Sequence, residues 1–220
     1  MTSSALIEKL CQDLQPVRPV RPLREVALGL IALWLLIGFA VVSAIGIRRD
    51  LLEQVGGPGF LSILAALSFM AAGGITAALA FCIPGRETAA RSGLGLATSG
   101  LVATLALTLV PIFGDASPGY IANSLLYDML CLSVSIVLAL PVVGAIIVFC
   151  RRAATWSAAG IATAAGLGAV AGGALLVHLV CEEDCARHLL GAHALAPVLG
   201  SLSLALPAYL MLRRQEPELH

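Results

Sequence analysis

The sequence predicts an all-α, polytopic membrane protein with six transmembrane helices and a short cytoplasmic amphipathic helix at its N-terminus. Of its 220 residues, 59% are hydrophobic and only 12% are charged, whereas a soluble domain carries about 25% charged residues. Six runs lack Asp, Glu, Lys and Arg, and each is close to the length of about 20 residues that a spanning helix needs. Because lipid offers the backbone no hydrogen-bond partner, such runs must be helical. The runs are 26–47, 59–83, 92–113, 129–150, 157–180 and 192–212.

The positive charges in the loops predict the orientation of these spans, because Lys and Arg concentrate in cytoplasmic loops. Six spans place both termini on one side, and three of the thirteen basic residues, Arg48, Arg49 and Arg187, fall on the other. Both termini are therefore expected to be cytoplasmic. The ten on the terminal side are Lys9, Arg18, Arg21, Arg24, Arg86, Arg91, Arg151, Arg152, Arg213 and Arg214.

One local exception and the net charge complete the charge pattern. Arg48 and Arg49 oppose the rule locally, and Asp50 and Glu53 partly offset them. The net charge of zero provides no basic field for nucleic acid, so no direct nucleic-acid partner is expected.

The chain divides into a cytoplasmic segment at 1–25, a six-helix transmembrane domain at 26–212 and a cytoplasmic tail at 213–220. Residues 3–14 are predicted to form an amphipathic helix, because its apolar residues recur at helical spacing. A helix of about three turns is marginal alone in water, so it needs a surface, either a protein partner or the membrane lipid. The apolar face consists of Leu6, Ile7, Leu10, Cys11 and Leu14.

A proline-arginine segment connects this helix to the first span. Pro16, Pro19 and Pro22 repeat every third residue, which favours a polyproline II spacer. Arg18 and Arg21 in the same segment suit anionic lipid headgroups.

Small residues in the spans predict close helix packing. Gly73 and Gly74, Gly95 with Ser99, and Gly168 with Gly172 are the candidate contact points. The only ionisable side chains in the spans are His178 at the end of one run and His193 near the start of another. Ion-coupled transporters usually bury such groups at mid-membrane, so their scarcity counts against transport.

Two cysteines are expected to lie at the same height on neighbouring spans. Cys131 begins the fourth span and Cys181 ends the fifth, and the short turn at 151–156 makes these spans antiparallel neighbours. The midpoint of the two positions falls at that turn, so both are equally far from it. A disulfide is feasible if both side chains face the shared interface. The alternatives are a sensing pair, a structural disulfide and inert apolar thiols.

Further soft ligands surround Cys181. If the helix continues, Cys185 shares a face with Cys181, and His178 and His188 flank the two cysteines at spacings of three. Thiolate and imidazole suit zinc, cadmium or copper, and the acidic residues at 182–184 would attract cations. Transient binding of a soft heavy-metal ion is one interpretation, and a solvated loop with a satisfied histidine is the other. The remaining cysteines, Cys11, Cys82 and Cys150, are interpreted as small apolar residues.

The chain resembles the NrsF family in three features. These are the run from Leu6 to Leu23 with its Pro-Val-Arg-Pro repeat, the six spans that follow it, and the outward positions of Cys131 and Cys181. Members of that family are anti-sigma factors of the bacterial inner membrane that act on extracytoplasmic-function (ECF) sigma factors. The resemblance implies that the cytoplasmic segment holds the sigma factor and that the two outward cysteines control its release under heavy-metal or oxidative stress. The chain departs from the family pattern in the extra thiol of Cys185 and in residues 186–193. The implied partner-binding residues are Leu6, Ile7, Leu10, Leu14, Pro16, Arg18 and Arg21.

An alternative of a different class is a membrane thiol oxidoreductase coupled to quinone. Such enzymes generally use Cys-x-x-Cys pairs, whereas Cys181 and Cys185 are separated by three residues. The sequence contains no catalytic triad or phosphate-binding glycine loop. We therefore expect a regulator rather than an enzyme, with no cofactor beyond the soft metal ion.

Overall fold

The computed structural model describes residues 22–114, 124–153 and 155–213, together with Ile7, Glu8 and Cys11; for 111–114 and 124–125 it describes the backbone alone. Within these residues the chain is helical and contains no β-strand. Six of the described helical segments are long and apolar enough to cross a membrane, which confirms the predicted fold class. The helices are α1 Leu23–Ile45, α2 Leu51–Val55, α3 Pro58–Phe81, α4 Glu87–Gly114, α5 Ser124–Cys150, α6 Ala158–His178, α7 Ala186–His188 and α8 Leu195–Arg213.

The sixth span is composite and starts earlier than the sequence predicts. It covers Ala186–Arg213 and joins α7 to α8 through a π-helical turn at Leu189–Ala194. The predicted run begins only at 192 because Arg187 interrupts the apolar pattern. Within this polar start the side chain of His188 is buried, whereas that of Arg187 is exposed.

The predicted N-terminal segment lies largely outside the described residues. Leu6, Leu10, Leu14, Pro16, Arg18 and Arg21 are all outside them. Ile7 and Cys11 are helical and exposed. The tail beyond Arg213 also lies outside the described part of the chain.

Helix α6 is the centre of the bundle, and 72% of the residues in its 18-residue apolar stretch are buried. Its sequence is almost entirely alanine, glycine and small apolar residues, so α3, α5 and α8 can all pack closely against it. Helix α1 is the opposite case, since only 11% of the residues in its 18-residue apolar stretch are buried. Its buried residues are Leu30 and Val41, and the ring of Trp34 lies against Gly172 of α6.

Glycines produce the closest helix contacts. A Cβ atom added at Gly74 of α3 would lie 2.6 Å from the Cα atom of Gly168 on α6, so the predicted close approach at both residues is confirmed. The prediction for Gly95 and Ser99 is wrong, because Gly95 faces open space and Ser99 is exposed. Helix α4 packs with the neighbouring face instead, where Gly93 meets the backbone of α3.

A disulfide joins Cys82 and Cys150 at the end of the bundle where α1 begins and α8 ends, with Cα atoms 5.4 Å apart. The interpretation of these two cysteines as unpaired apolar residues is therefore wrong. Cys82 follows α3 and Cys150 ends α5, and these two helices run in the same direction. Both cysteines are fully buried. The sequence does not show that these two spans meet, because α4 lies between them in the chain.

The Gly74–Gly168 contact predicts a sharp difference between two conservative variants. Gly74→Ala should lower the free energy of unfolding by about 1–3 kcal/mol, because the new methyl group meets backbone. Gly95→Ala, the matched control, should be neutral or stabilising by about 0.5–1 kcal/mol, since alanine favours the helix. Thermal unfolding of the purified protein in detergent, followed by tryptophan fluorescence, measures both. Equal midpoints for the two variants would contradict the observed packing.

Candidate functional site

Cys131 and Cys181 lie side by side at the end of the bundle opposite the Cys82–Cys150 disulfide. Their Sγ atoms are 4.0 Å apart, and both are free and partly exposed, so their predicted proximity is confirmed. Helices α5 and α6 touch through backbone close to this pair, where Gly173 meets Ser135. The Ser135 hydroxyl donates to the Cys131 carbonyl oxygen over 2.8 Å. This contact sets the distance between the helices just before they reach the thiols.

His188 completes a compact group with the two thiols. Its Nε2 atom lies 3.3 Å from Cys181 Sγ, and its Nδ1 atom lies 2.6 Å from Asp128 Oδ1. One ligand atom from each of Cys131, Cys181 and His188 falls within 4.8 Å of the others. We call these three residues the outer cluster. Asp128 is not part of it but fixes the orientation of the His188 ring.

The surroundings of Cys181 favour its thiolate form. The pKa of the Cys181 thiol is lowered, chiefly by a hydrogen bond from the Cys131 thiol and further by the imidazoles of His188 and His193. The pKa of Cys185 is shifted in the opposite direction, because burial disfavours its charged form. A thiolate is the form that attacks oxidants and binds metal ions. Cys181 is therefore the more reactive of these two thiols.

Cys185 stands apart from the outer cluster. Helix α6 ends at His178 and residues 181–185 are irregular, so the expectation that Cys181 and Cys185 share a helical face is wrong. Cys185 instead begins α7, where its sulfur accepts a hydrogen bond from the His188 backbone N–H over 3.4 Å. It acts as a cap because its backbone is extended, which is typical of the residue before a helix.

His178 is buried but lies on the far side of the cluster. Its ring stacks on Phe60, with centroids 4.6 Å apart, and meets the edge of His193 at 5.2 Å. The structure thus brings together three of the five predicted metal ligands, Cys131, Cys181 and His188. It leaves Cys185 and His178 outside that group.

His193 adjoins the cluster although it was not among the predicted ligands. Its ring centroid is 5.4 Å from that of His188. Residues five apart do not share a face of an α-helix, but the π-helical turn has i→i+5 hydrogen bonds and therefore brings them together. Its Nδ1 atom is 3.3 Å from the Ala174 carbonyl oxygen, while its buried Nε2 atom makes no hydrogen bond within the described part of the chain.

Arg48 closes one side of this end of the bundle. Its Nε atom donates to Asp50 over 2.7 Å, its guanidinium also binds Asp184, and it lies 5.3 Å above the Phe60 ring. The pKa of Asp50 is lowered mainly by the hydrogen bond from Arg48. This network explains why Arg48 opposes the charge rule, because two carboxylates neutralise it. Asp184 is therefore engaged by Arg48 rather than free to attract cations, contrary to the expectation.

The chemistry available to the outer cluster follows from these contacts. Two adjacent thiols, one of them with a lowered pKa, can be oxidised to a disulfide once the sulfurs approach to about 2.05 Å. Thiolate sulfur and imidazole nitrogen together also suit soft or borderline metal ions.

Comparison with known proteins gives one match. The family model described as NrsF, negative regulator of sigma F, matches residues 10–213. No curated protein matches the chain, and no solved structure matches it.

The lowered pKa of Cys181 predicts how its alkylation depends on pH. In the reduced, metal-free protein, Cys181 should keep reacting with iodoacetamide at pH 6, where an ordinary thiol of pKa about 8.5 reacts slowly. Cys131→Ala should raise the pH midpoint, because it removes the main hydrogen bond to the thiolate. Mass spectrometry of the Cys181 peptide gives the rates, and Cys185→Ala serves as the control. A wild-type midpoint near that of free cysteine would contradict this assignment.

Proposed function

Because the chain belongs to the NrsF family of negative regulators of sigma F, we propose that it is a membrane-bound anti-sigma factor. It holds an ECF sigma factor through residues 1–25 and releases it when the outer cluster reacts with a heavy metal or an oxidant. Family membership and six spanning helices make it a multi-pass regulator of a sigma factor. The class of sigma factor, the inner bacterial membrane, the cytoplasmic termini and the trigger are parts of the proposal.

The proposed partner-binding arm is residues 1–25. Leu6, Ile7, Leu10 and Leu14 recur at helical spacing, which suits an apolar groove on a protein partner. The arginines at 18 and 21 shortly precede the first span in the sequence and suit anionic lipid. A sigma factor held on this arm is kept at the membrane, away from RNA polymerase. This role requires that the arm be cytoplasmic, as the distribution of Lys and Arg predicts.

The observation that carries the sensing part of the proposal is the 4.0 Å separation of the Cys131 and Cys181 sulfurs. An oxidant such as a peroxide would remove two electrons from the thiols, form the disulfide and itself be reduced to water. A soft metal ion would instead replace the thiol protons and draw both sulfurs to itself. Either reaction changes the spacing of α5 and α6 at one end. The Asp128–His188 pair supports both, because it holds an imidazole against Cys181.

The route from the cluster to the arm runs through α1. This helix begins at the end of the arm, and it packs on α5, which carries Cys131, and on α6, which ends shortly before Cys181. One of its contacts is that of Trp34 with Gly172 of α6, so a shift of α6 can displace it. A hundredfold loss of affinity requires a coupling free energy of only about 2.7 kcal/mol. That amount is comparable to the contribution of a single disulfide.

The first prediction concerns the arm. Leu10→Asp should abolish co-purification of the sigma factor with the full-length protein, because it places a charge in the apolar contact. Gln12→Asp introduces the same carboxylate on the opposite face of the predicted helix and should leave co-purification intact. Retention of the sigma factor by the Leu10→Asp protein at normal membrane abundance would exclude this docking mode.

The second prediction concerns the trigger. Cys131→Ser and Cys181→Ser should each prevent cadmium or peroxide from inducing transcription that depends on the sigma factor, because each removes one of the paired sulfurs. Cys185→Ser is the matched control and should leave induction within about twofold of wild type, since Cys185 lies outside the cluster. A transcriptional reporter in intact cells measures all three. Induction that persists in both cluster variants would show that the signal enters elsewhere.

A further inference from the structure

We propose that Cys131, Cys181, His188 and His193 form a four-coordinate site for a thiophilic divalent cation of the zinc and cadmium class. The inference rests on the proposed function in using the same two thiols, and it adds two things to it. It identifies His193 as the fourth ligand, and it assigns Asp128 and the Ala174 carbonyl group to the positions that orient the two imidazoles.

Two of the distances between ligand atoms are close to those around a tetrahedral ion, whereas His193 lies outside the group whose ligand atoms fall within 4.8 Å of one another and must move toward them. With zinc–sulfur bonds of about 2.3 Å and zinc–nitrogen bonds of about 2.0–2.1 Å, tetrahedral ligands are separated by about 3.8 Å for two sulfurs and about 3.5 Å for sulfur and nitrogen. The sulfurs of Cys131 and Cys181 are 4.0 Å apart, and Cys181 Sγ is 3.3 Å from His188 Nε2. Only a small movement of these ligands is therefore needed for them to close on an ion.

Both histidines present the same nitrogen to the site. The Nδ1 atom of His188 is bonded to Asp128 over 2.6 Å, and that of His193 faces the Ala174 carbonyl oxygen at 3.3 Å. Each ring therefore has its Nε2 atom available, which is the arrangement of metal-binding histidines whose second nitrogen is held by a carboxylate or carbonyl group. His193 is fully buried, and its Nε2 atom forms no hydrogen bond with the described residues. Coordination would satisfy this atom.

The charges of the site also fit a divalent cation. Two thiolates and two neutral imidazoles bring the total charge to zero with an ion of charge +2, which is the favourable state in a poorly solvated site. Binding must displace the protons that the thiols and the imidazole hold, because only the deprotonated forms coordinate. Gly191 leaves room for the orienting carboxylate, since a Cβ atom there would lie 3.2 Å from Asp128 Oδ2.

Two other candidate ligands are less well placed. The Cys185 sulfur accepts the His188 backbone N–H at the start of α7. His178 stacks on Phe60 and is separated from His188 by the ring of His193, which it meets at 5.2 Å. Both therefore provide comparison variants that change a similar side chain without removing a proposed ligand.

Anaerobic titration of the reduced full-length protein in lipid nanodiscs with Co²⁺ tests the site. We expect one Co²⁺ per chain, with the intense visible absorption of tetrahedral cobalt and thiolate charge-transfer bands, and displacement by Zn²⁺. Asp128→Asn should weaken binding by about 10–100-fold, and His193→Ala should weaken it more, because it removes a ligand. His178→Ala, the matched control, should change the affinity by less than about threefold, because that imidazole lies outside the proposed ligand set.

His193→Cys keeps the test decisive if the alanine variant fails to fold. A third thiolate should restore Co²⁺ binding and increase the charge-transfer absorption. Failure of the wild-type protein to bind Co²⁺ and Zn²⁺, octahedral cobalt absorption, or dependence on His178 instead of His193 would overturn the inference. Release of the sigma factor is measured separately. A protein that binds the ion tetrahedrally but retains its sigma factor would support this site and contradict the sensing role.

Discussion

The close contact between α5 and α6 is the constraint on which the rest of the account depends. Gly173 has no side chain, so the backbone at Ser135 can lie directly against it. The contact lies near Cys131, and it fixes the separation of the two helices where they carry the thiols. A larger residue at 173 would move the sulfurs apart and remove both the disulfide chemistry and the metal geometry. The function of this end of the bundle therefore depends on a packing detail rather than on the thiols alone.

The two ends of the bundle differ in how they are held. At the end where α1 begins, the Cys82–Cys150 disulfide joins α3 to α5 within a fully buried environment. At the other end the thiols of Cys131 and Cys181 are free and partly exposed. The Arg48 network ties the loop after α1 to the loop after α6. A disulfide or metal ion at the free thiols would act on α5 and on the segment that follows α6, and α1, the least buried of the described spans, packs on both helices.

The sequence alone predicts the parts of this structure that follow from the length of the apolar runs and from the short turns that connect them. The spans follow from the absence of charge over bilayer length, and the proximity of Cys131 and Cys181 follows from the short turn between their helices. It was insufficient where the outcome depends on contacts between distant spans, as with Cys82 and Cys150. It also failed where the backbone departs from α-helical geometry. The π-helical turn brings His193 to His188, and the end of α6 at His178 removes Cys185 from the cluster.

Asp128 illustrates a further limit. It lies just before the predicted fourth span, and its position alone suggests a solvated loop residue. The structure extends α5 back to Ser124, which makes Asp128 part of the helix and places its carboxylate on His188. A carboxylate one turn before a cysteine on the same helix is the signal in the sequence that could have identified it.

The central claim is that chemistry at the outer cluster weakens the hold on the sigma factor at the opposite end of the bundle. The most direct measurement is the dissociation constant between the nanodisc-embedded full-length protein and the sigma factor that co-purifies with it, before and after loading with Cd²⁺. The account predicts an increase of about 100-fold, equivalent to about 2.7 kcal/mol, and no increase in the Cys181→Ser protein. An unchanged dissociation constant in wild-type protein that has bound Cd²⁺ stoichiometrically would contradict the account.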